Sequence, residues 1–420
     1  MLLVGTDLVE IARIEKSMRN PLFCARILGK TEYEQLSRRG FPVQSVAASF
    51  CAKEAFSKAV GTGLGGFRLR EAELLRAPNG GPELRLSGKA AELAGKTRFS
   101  VSVTHTATSA AATVVGWGEE ALPVEQALPK ELPEGEKILR DMLRPRDPES
   151  NKGNYGRLLC VCGSDGMAGA AAMSTLSALR CGAGIVETAL PRTIYPIVAA
   201  LAPEAVFTLL EISSEGGMAD RTPQEIRSAL SRASACLAGC GLGKSPFARG
   251  AVSLLLRETR VPLVLDADGI NLVSEHIDEL KTARAPLILT PHPGEMARLL
   301  KTTVRGVQEN REECARSFSR EYGVILVLKG AGTLVASPEG RLYRNTTGNP
   351  GMAKGGSGDV LAGMIASFAA QGIEPFSAAA GAVYLHGLAG DRCAESLSQS
   401  AMLPTDLIGK LPELFLKLGR

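Results

Sequence analysis

The chain has no long apolar run: nothing in it approaches the ~20 uninterrupted apolar residues of a membrane span. It has no excess of one charge either. Its 48 basic and 44 acidic residues leave +4, which gives no support for a nucleic-acid binder. Internal repeats and low-complexity tracts are missing, which argues against a solenoid or a tail. The opening "MLLVGTDLVEIARIEK" meets charge by Asp7, before any apolar core of a signal peptide. The nine cysteines show no paired metal spacing. Cys160 and Cys162 alternate within an apolar run and are expected on one face of a strand, as reduced thiols suited to the cytoplasm.

What is present is a 420-residue chain with 45% hydrophobic content, enough for two or three full cores. "VSVTHTATSAAATVVGWG" reads as strand, turn, strand. A segment rich in Pro, Glu and Lys follows, so the boundary falls near residues 119 to 125, between a domain over 1–119 and a domain over 125–420. In the second domain "RLLCVCG", "ACLAGCG", "PLVLDADG", "APLILTP" and "VILVLKG" are candidate strands, separated by longer helical stretches. Near-continuous apolar strands alternating with helices predict an α/β unit whose mostly parallel sheet is covered on both faces. Ligands in such folds bind beyond the carboxyl ends of the strands.

The unusual residues of this domain lie at those ends. "GMAKGGSGDVLAG" places Gly355, Gly356, Ser357 and Gly358 ahead of Asp359 and an apolar helix. Glycines let a helix N-terminus close on an oxyanion. A carboxylate at the edge of such a cradle can accept a proton from an attacking hydroxyl. An aspartate at a helix start is equally compatible with a cap. "LAGCGLGKS" puts Gly239, Gly241 and Gly243 after a strand, and "VLDADGINL" supplies Asp266, Asp268 and Asn271, with Asp268 a candidate cap. "LTPHPGEMARLL" holds His292 between two prolines, with Glu295 in the first helical turn, and "LVLKGAGTLV" offers Lys329 before a glycine-rich bend.

Taken together with "GNYGRLLCVCGSDGMAGAAAMSTLSALRCGAG", "NTTGNPGMAKGGSGDVLAG" and "YLHGLAGD", this stretch from about Leu128 onward resembles the ADP- or ATP-dependent NAD(P)H-hydrate dehydratases. The resemblance implies a ribokinase-like fold. It also implies that a hydroxyl on the damaged nicotinamide ring is phosphorylated from ADP and phosphate then leaves. By motif, Asp359 is the implied base and a substrate contact. Gly358 and Lys329, Gly330, Ala331, Gly332 and Thr333 are implied to hold the adenine nucleotide. Ala170, Gly243 and His292 are implied to touch the NAD(P)H hydrate, with Mg²⁺ on the diphosphate. A small-molecule kinase of the same fold would share the cradle and the aspartate, but would accumulate a phosphorylated product.

In the first domain, "LLVGTDLVEIARIEK" is an apolar strand that delivers Asp7 to its end. "SVAASFCAKEAFSKAVGTGLGG" is a helix stopped at Gly61, with Glu54 and Lys58 on one face. Spacing alone reads that pair as an exposed ion pair. Phe50, Ala55, Phe56 and Ala59 supply core contacts. With "SVSVTHTATSAAATVV" in the same order, residues 2 to about 116 resemble a holo-acyl-carrier-protein synthase. The resemblance implies an α+β phosphopantetheinyl-transferase fold. Phosphopantetheine would move from coenzyme A to acyl carrier protein, with Asp7 and Glu54 holding Mg²⁺ and Lys58 steadying the phosphates. His105 would lie near the coenzyme, Arg13 would meet the carrier, and Gly61 to Gly65 would approach the adenosine. Ser49 stands where relatives have arginine, which bears on one phosphate or carrier contact. A degenerate, non-catalytic oligomerisation module is the other reading of this domain, and a coenzyme A or nucleotide sensor that binds without turnover is the non-enzymatic reading of the chain. Both families imply a homo-oligomer, the synthases a trimer.

Overall fold

The computed structural model describes residues 2–63, 65–77, 80–118, 132–143 and 145–419. The expected linker at 119 to 125 lies outside them. The chain folds as two units, Met1–Glu131 and Leu132–Arg420. Among the described residues, no helix is long and apolar enough to cross a membrane.

Among its described residues the first unit has five strands: β1 (Leu2–Glu10), β2 (Ala72–Arg76), β3 (Pro82–Leu86), β4 (Arg98–His105) and β5 (Ser109–Trp117). β5 lies between β1 and β4 in an antiparallel sheet, and β2 and β3 form a hairpin. The helix Val43–Ala59 lies directly on β1, because Gly5 offers no side chain there. A Cβ on Gly5 would stand 2.0 Å from the Ala55 carbonyl oxygen. Ala55, Phe56 and Ala59 are buried and Phe50 packs beside them. Asp7 lies within β1 opposite Ala112 rather than at the strand's end, since the pairing runs on to Glu10.

A fully buried ion pair, Lys53 to Glu32 at 2.7 Å, holds this helix to the segment before it. Glu32 also accepts from the backbone of Gly29 and Leu74 and from the Ser49 hydroxyl, and Lys53 donates to the Ala72 carbonyl. So complete a set of partners is what makes a buried charge tolerable. Ser49 therefore belongs to the interior of the unit. It is 1% exposed and its hydroxyl is committed to Glu32, so the serine itself offers no contact to a phosphate or a carrier.

The second unit is built on β6 (Arg157–Val161), β7 (Ile185–Pro191), β8 (Val206–Leu210), β9 (Ala235–Ala238), β10 (Leu263–Leu265), β11 (Leu287–Leu289), β12 (Ile325–Leu328), β13 (Leu334–Ala336) and β14 (Leu342–Arg344). The sheet order is β14-β13-β12-β11-β10-β9-β6-β7-β8. β6 to β12 are all parallel, β13 runs antiparallel to β12 and β14 antiparallel to β13. All five expected strands are present. β7 and β8 carry no comparable apolar run, because Glu187 and Thr188 interrupt the one and the other is a half-exposed edge.

Alternate residues of each strand feed two cores. Leu158, Cys160 and Cys162 face the core closed by helices Ala168–Arg180 and Ser357–Ala370, with both cysteines on one face and reduced as expected. Leu159 and Val161 face the second core, to which Pro246–Glu258 and Arg311–Tyr322 also contribute. Proline at N1 starts several helices, where its missing N–H costs nothing. The chain winds outward in both directions from neighbours β6 and β9, which puts the topological switch point, and so the crevice, at their carboxyl ends.

The helix Ser357–Ala370 crosses over that crevice and touches β6, β9 and β10. It sits close to Ala168–Arg180 because Gly363 has no side chain: a Cβ there would lie 2.2 Å from the Ser174 carbonyl oxygen. Gly363→Ala is expected to force the two helices apart and lower stability by about 1–3 kcal/mol. The reading is a reduced urea midpoint at unchanged slope.

Candidate active sites

Four strands of the second unit end in polar residues that meet over the crevice. Asp266 follows β10, Lys329 follows β12, Thr290 follows β11 and Cys240 stands two residues beyond β9. Lys329 Nζ donates to Asp266 Oδ1 at 2.6 Å, and Thr290 Oγ1 donates to the same oxygen at 2.6 Å. The Cys240 thiol donates to Asp266 Oδ2 at 3.8 Å. Glu295 stands 3.9 Å from Lys329. Asp266 and Asp268 diverge because Ala267 between them has φ +48, a backbone turn that an L-residue adopts only when its surroundings impose it.

Asp359 enters from above. The N-cap of its helix is Gly356 in the left-handed conformation, and no side chain caps the turn. The helix-cap reading of Asp359 is thereby excluded, since it is the third helical residue. Gly355 faces open space. A Cβ on Gly358 would come within 3.2 Å of Lys329 Nζ, so this glycine keeps the lysine's face of the site open. One ligand atom each of Cys240, Asp266 and Asp359 lies within 4.8 Å of the others. The Lys329 ammonium already supplies positive charge to that group.

Burial, and then the Asp266 carboxylate, push Asp359 up to about 6 against the pull of Cys240 and Lys329. Burial pushes Glu295 up to about 7, with Lys329 opposing. His292 is the cap of its own helix. Its Nδ1 accepts from the Gly294 and Glu295 N–H groups at 2.9 and 3.3 Å, which puts the proton on Nε2. Burial, Lys329 and Arg298 hold it below its usual range, so it is a neutral donor.

Several sequence-predicted residues take unexpected places. Lys329 turns inward to Asp266, away from the bend that follows it. That bend, Gly330 to Thr333, is braced by Arg311, which donates to the Leu328, Lys329 and Gly332 carbonyls. Asp268 does not cap its helix: it accepts from the Gly243 N–H at 2.8 Å and so holds the Gly241–Gly243 turn. Ala170 is buried against that turn, its Cβ 2.7 Å from where Gly241 would carry one. Cys240 and Thr290 lie inside the strand-end motifs, but a lone thiol and a lone hydroxyl give no spacing signal. Arg311 has no local signal.

In the first unit Asp7, Glu54, Lys58 and Arg13 converge. Lys58 donates to Asp7 Oδ1 at 2.8 Å and to the Thr6 carbonyl at 3.0 Å. The expected Glu54–Lys58 pair gives way to this one, because Gly5 brings the helix within reach of Asp7. Burial and then Asp7 raise Glu54, and Lys58 and Arg13 oppose them. Two carboxylates that repel each other beside open solvent make a fitting pair for a hard divalent cation. His105 is exposed at the end of β4. The loop after the helix has Gly61 and Gly63 in left-handed conformations, and Leu64 lies outside the described residues.

Because folded Glu295 and Asp359 hold protons that the unfolded chain releases, the native state binds more protons between about pH 4 and 7. Stability therefore falls as pH rises through that window. Glu295→Gln is expected to flatten the fall. Urea midpoints at about pH 5 and about pH 8 measure it, and the wild type loses more between them.

Residues 158–413 match the NAD(P)H-hydrate dehydratase family, and residues 3–114 match the 4'-phosphopantetheinyl transferase superfamily. The bifunctional NAD(P)H-hydrate repair enzyme Nnr of Moorella thermoacetica is 43% identical over 273 residues, 65% of this chain and 52% of that protein. The ADP-dependent (S)-NAD(P)H-hydrate dehydratase of Neisseria meningitidis is 40% identical over 265 residues, 62% of this chain and 85% of that one. The ADP/ATP-dependent NAD(P)H-hydrate dehydratase of Bacillus subtilis, co-crystallised with ATP and Mg²⁺, superimposes with a TM-score of 0.57 at 31% identity. That match covers 67% of this chain and 97% of the other. The chain spans about half the length of the bifunctional relatives it matches. Its second unit has the expected ribokinase-like α/β fold, its first unit is synthase-like, and the chain belongs to the NAD(P)H-hydrate dehydratase family.

Proposed function

We propose that the second unit repairs hydrated NAD(P)H with ADP. The ring hydroxyl attacks the terminal phosphoryl group and AMP leaves; the C–O bond of the phosphate ester then breaks to release inorganic phosphate, the adjacent ring carbon gives up a proton to water, and the ring double bond returns. Hydroxide is a poor leaving group and phosphate a good one, which is why a nucleotide is consumed. Asp359 takes the hydroxyl proton as the oxygen–phosphorus bond forms. The first-turn N–H groups of Gly358 and Asp359, which no side chain caps, receive the charge that develops on the phosphoryl oxygens. Lys329 faces the phosphate end of the nucleotide, and Gly330, Ala331, Gly332 and Thr333 offer it their backbone. His292 donates a hydrogen bond from its Nε2–H to the dinucleotide, whose other contacts are Ala170 and Gly243. The observation that carries this reading is a base held near 6 at an uncapped, glycine-lined helix start beside a lysine.

We further propose that the first unit moves 4'-phosphopantetheine from coenzyme A to a serine of acyl carrier protein. Asp7 and Glu54 would hold Mg²⁺, which supplies charge neutralisation for the coenzyme's diphosphate. Lys58 would release Asp7 to the metal and pair with phosphate, and Arg13 would meet the acidic carrier. The convergence of Asp7, Glu54 and Lys58 supports this over a non-catalytic module beside a small-molecule kinase. One sheet face of this unit exposes Leu2, Val4, Leu8 and Trp117, an apolar stripe that supports association between copies. Nine free thiols suit a reducing, cytoplasmic setting.

Asp359→Asn is expected to cut dehydration by about 10²–10⁴-fold, read as recovery of NAD(P)H absorbance, and to spare phosphopantetheine transfer. Asp7→Asn is expected to do the reverse. Loss of both reactions from one change in a folded protein overturns the two-site reading.

A further inference from the structure

Arg311 is the first residue of the helix Arg311–Tyr322, where the helix dipole favours acids such as its neighbours Glu312 and Glu313 and disfavours a cation. Its guanidinium nevertheless lies against the bend that follows β12. Nη1 donates to the Lys329 carbonyl and to Gln308 Oε1, each at 3.3 Å. Nη2 donates to the Leu328 and Gly332 carbonyls at 3.2 and 3.4 Å. Gly330 makes room for it, since a Cβ there would stand 2.8 Å from Nη1.

These bonds fix more than the carbonyls. In a planar trans peptide the C=O and the N–H of the next residue point in opposite directions. With the Leu328 carbonyl on Arg311, the Lys329 N–H points the other way and donates to the Pro291 carbonyl at 2.9 Å. With the Lys329 and Gly332 carbonyls on Arg311, the N–H groups of Gly330 and Thr333 are likewise turned away from it. The Thr333 hydroxyl takes the Gly330 carbonyl at 2.9 Å and so sets the direction of the Ala331 N–H. Among the described residues, the N–H groups of Gly330, Ala331 and Thr333 meet no protein acceptor.

We infer that Arg311 is a positioning residue for the nucleotide: by holding three carbonyls of the bend on its own side, it leaves the opposite side a row of N–H donors set for the acceptor atoms of a nucleoside diphosphate. The inference rests on the reading of Gly330 to Thr333 as the nucleotide's seat. Gly330 at φ +132 and Gly332 at φ +62 give the bend a backbone with little preference of its own. Released from Arg311, its peptides can turn over and present carbonyls, which repel phosphate oxygens. Arg344 cannot take over this task, because its guanidinium is drawn to Glu312 at 3.3 Å.

The test is steady-state dehydration by the full chain, with ADP and the hydrate varied separately, beside calorimetric titration of ADP without turnover. Arg311→Met keeps the stem and removes the donors. It is expected to raise KM and Kd for ADP about tenfold and to leave kcat at saturating ADP and the KM for the hydrate nearly unchanged. Arg311→Lys keeps the charge with one nitrogen for three carbonyls, so it is expected to recover only part of the affinity, and it supplies the reading if the methionine variant fails to fold. Unchanged ADP affinity, full recovery by lysine, or an equal loss in kcat or in the KM for the hydrate overturns the inference. Gly332→Asp tests the reading beneath it. Aspartate tolerates the left-handed backbone, and the nearest atoms to its Cβ, on Arg344 and Asn345, are 3.9 Å away. Its carboxylate is expected to weaken ADP binding by repulsion. If it does so and Arg311→Met does not, the inference alone fails. If Gly332→Asp leaves ADP affinity untouched, the bend is not the nucleotide's seat.

Discussion

The second unit depends on one ammonium held among three carboxylates. Lys329 touches Asp266 at 2.6 Å, stands 3.9 Å from Glu295 and lies beside Gly358 and Asp359. Burial is the first cause that displaces two carboxyl groups towards neutrality, Asp359 to about 6 and Glu295 to about 7. The Asp266 carboxylate adds to it, and the single ammonium of Lys329 opposes it without cancelling it. A raised carboxyl group is thus a product of burial among like charges. A fourth partner for the cluster would stabilise the protein and quiet the site.

The first unit solves its charge problem the other way. The Lys53–Glu32 pair is buried and satisfied on every side, so it holds the fold and offers no chemistry. Five residues on along the same helix, Lys58 makes its pair at the surface with Asp7, where a ligand can compete for either member. A single helix therefore carries one closed ion pair and one open one, and only the open one belongs to a site.

Much of this was legible in the sequence, and for specific reasons. The parallel strands are buried on both faces, so they read as apolar runs. Asp359 was legible because the glycines ahead of it are costly unless backbone must approach something. Other features were not legible. The pairing of Lys329 with Asp266 could not be read, because nothing local shows that a carboxylate 63 residues earlier lies beside it. Asp268 has the sequence of a cap, yet the Gly243 turn claims its carboxylate. Cys240, Thr290 and Arg311 act only through partners brought close by the sheet. The Glu54–Lys58 spacing suggested a pair within the helix, but a glycine on another strand diverted the lysine. Local pattern shows which element forms, whereas side-chain direction is decided across the fold.

The strand order carries a temporal consequence. All nine strands of the second unit are encoded by Arg344, and the aspartate comes later, at the head of a helix laid over the finished sheet. A nascent chain emerging from the ribosome therefore carries Lys329 and the strand ends that line the crevice before it carries Asp359.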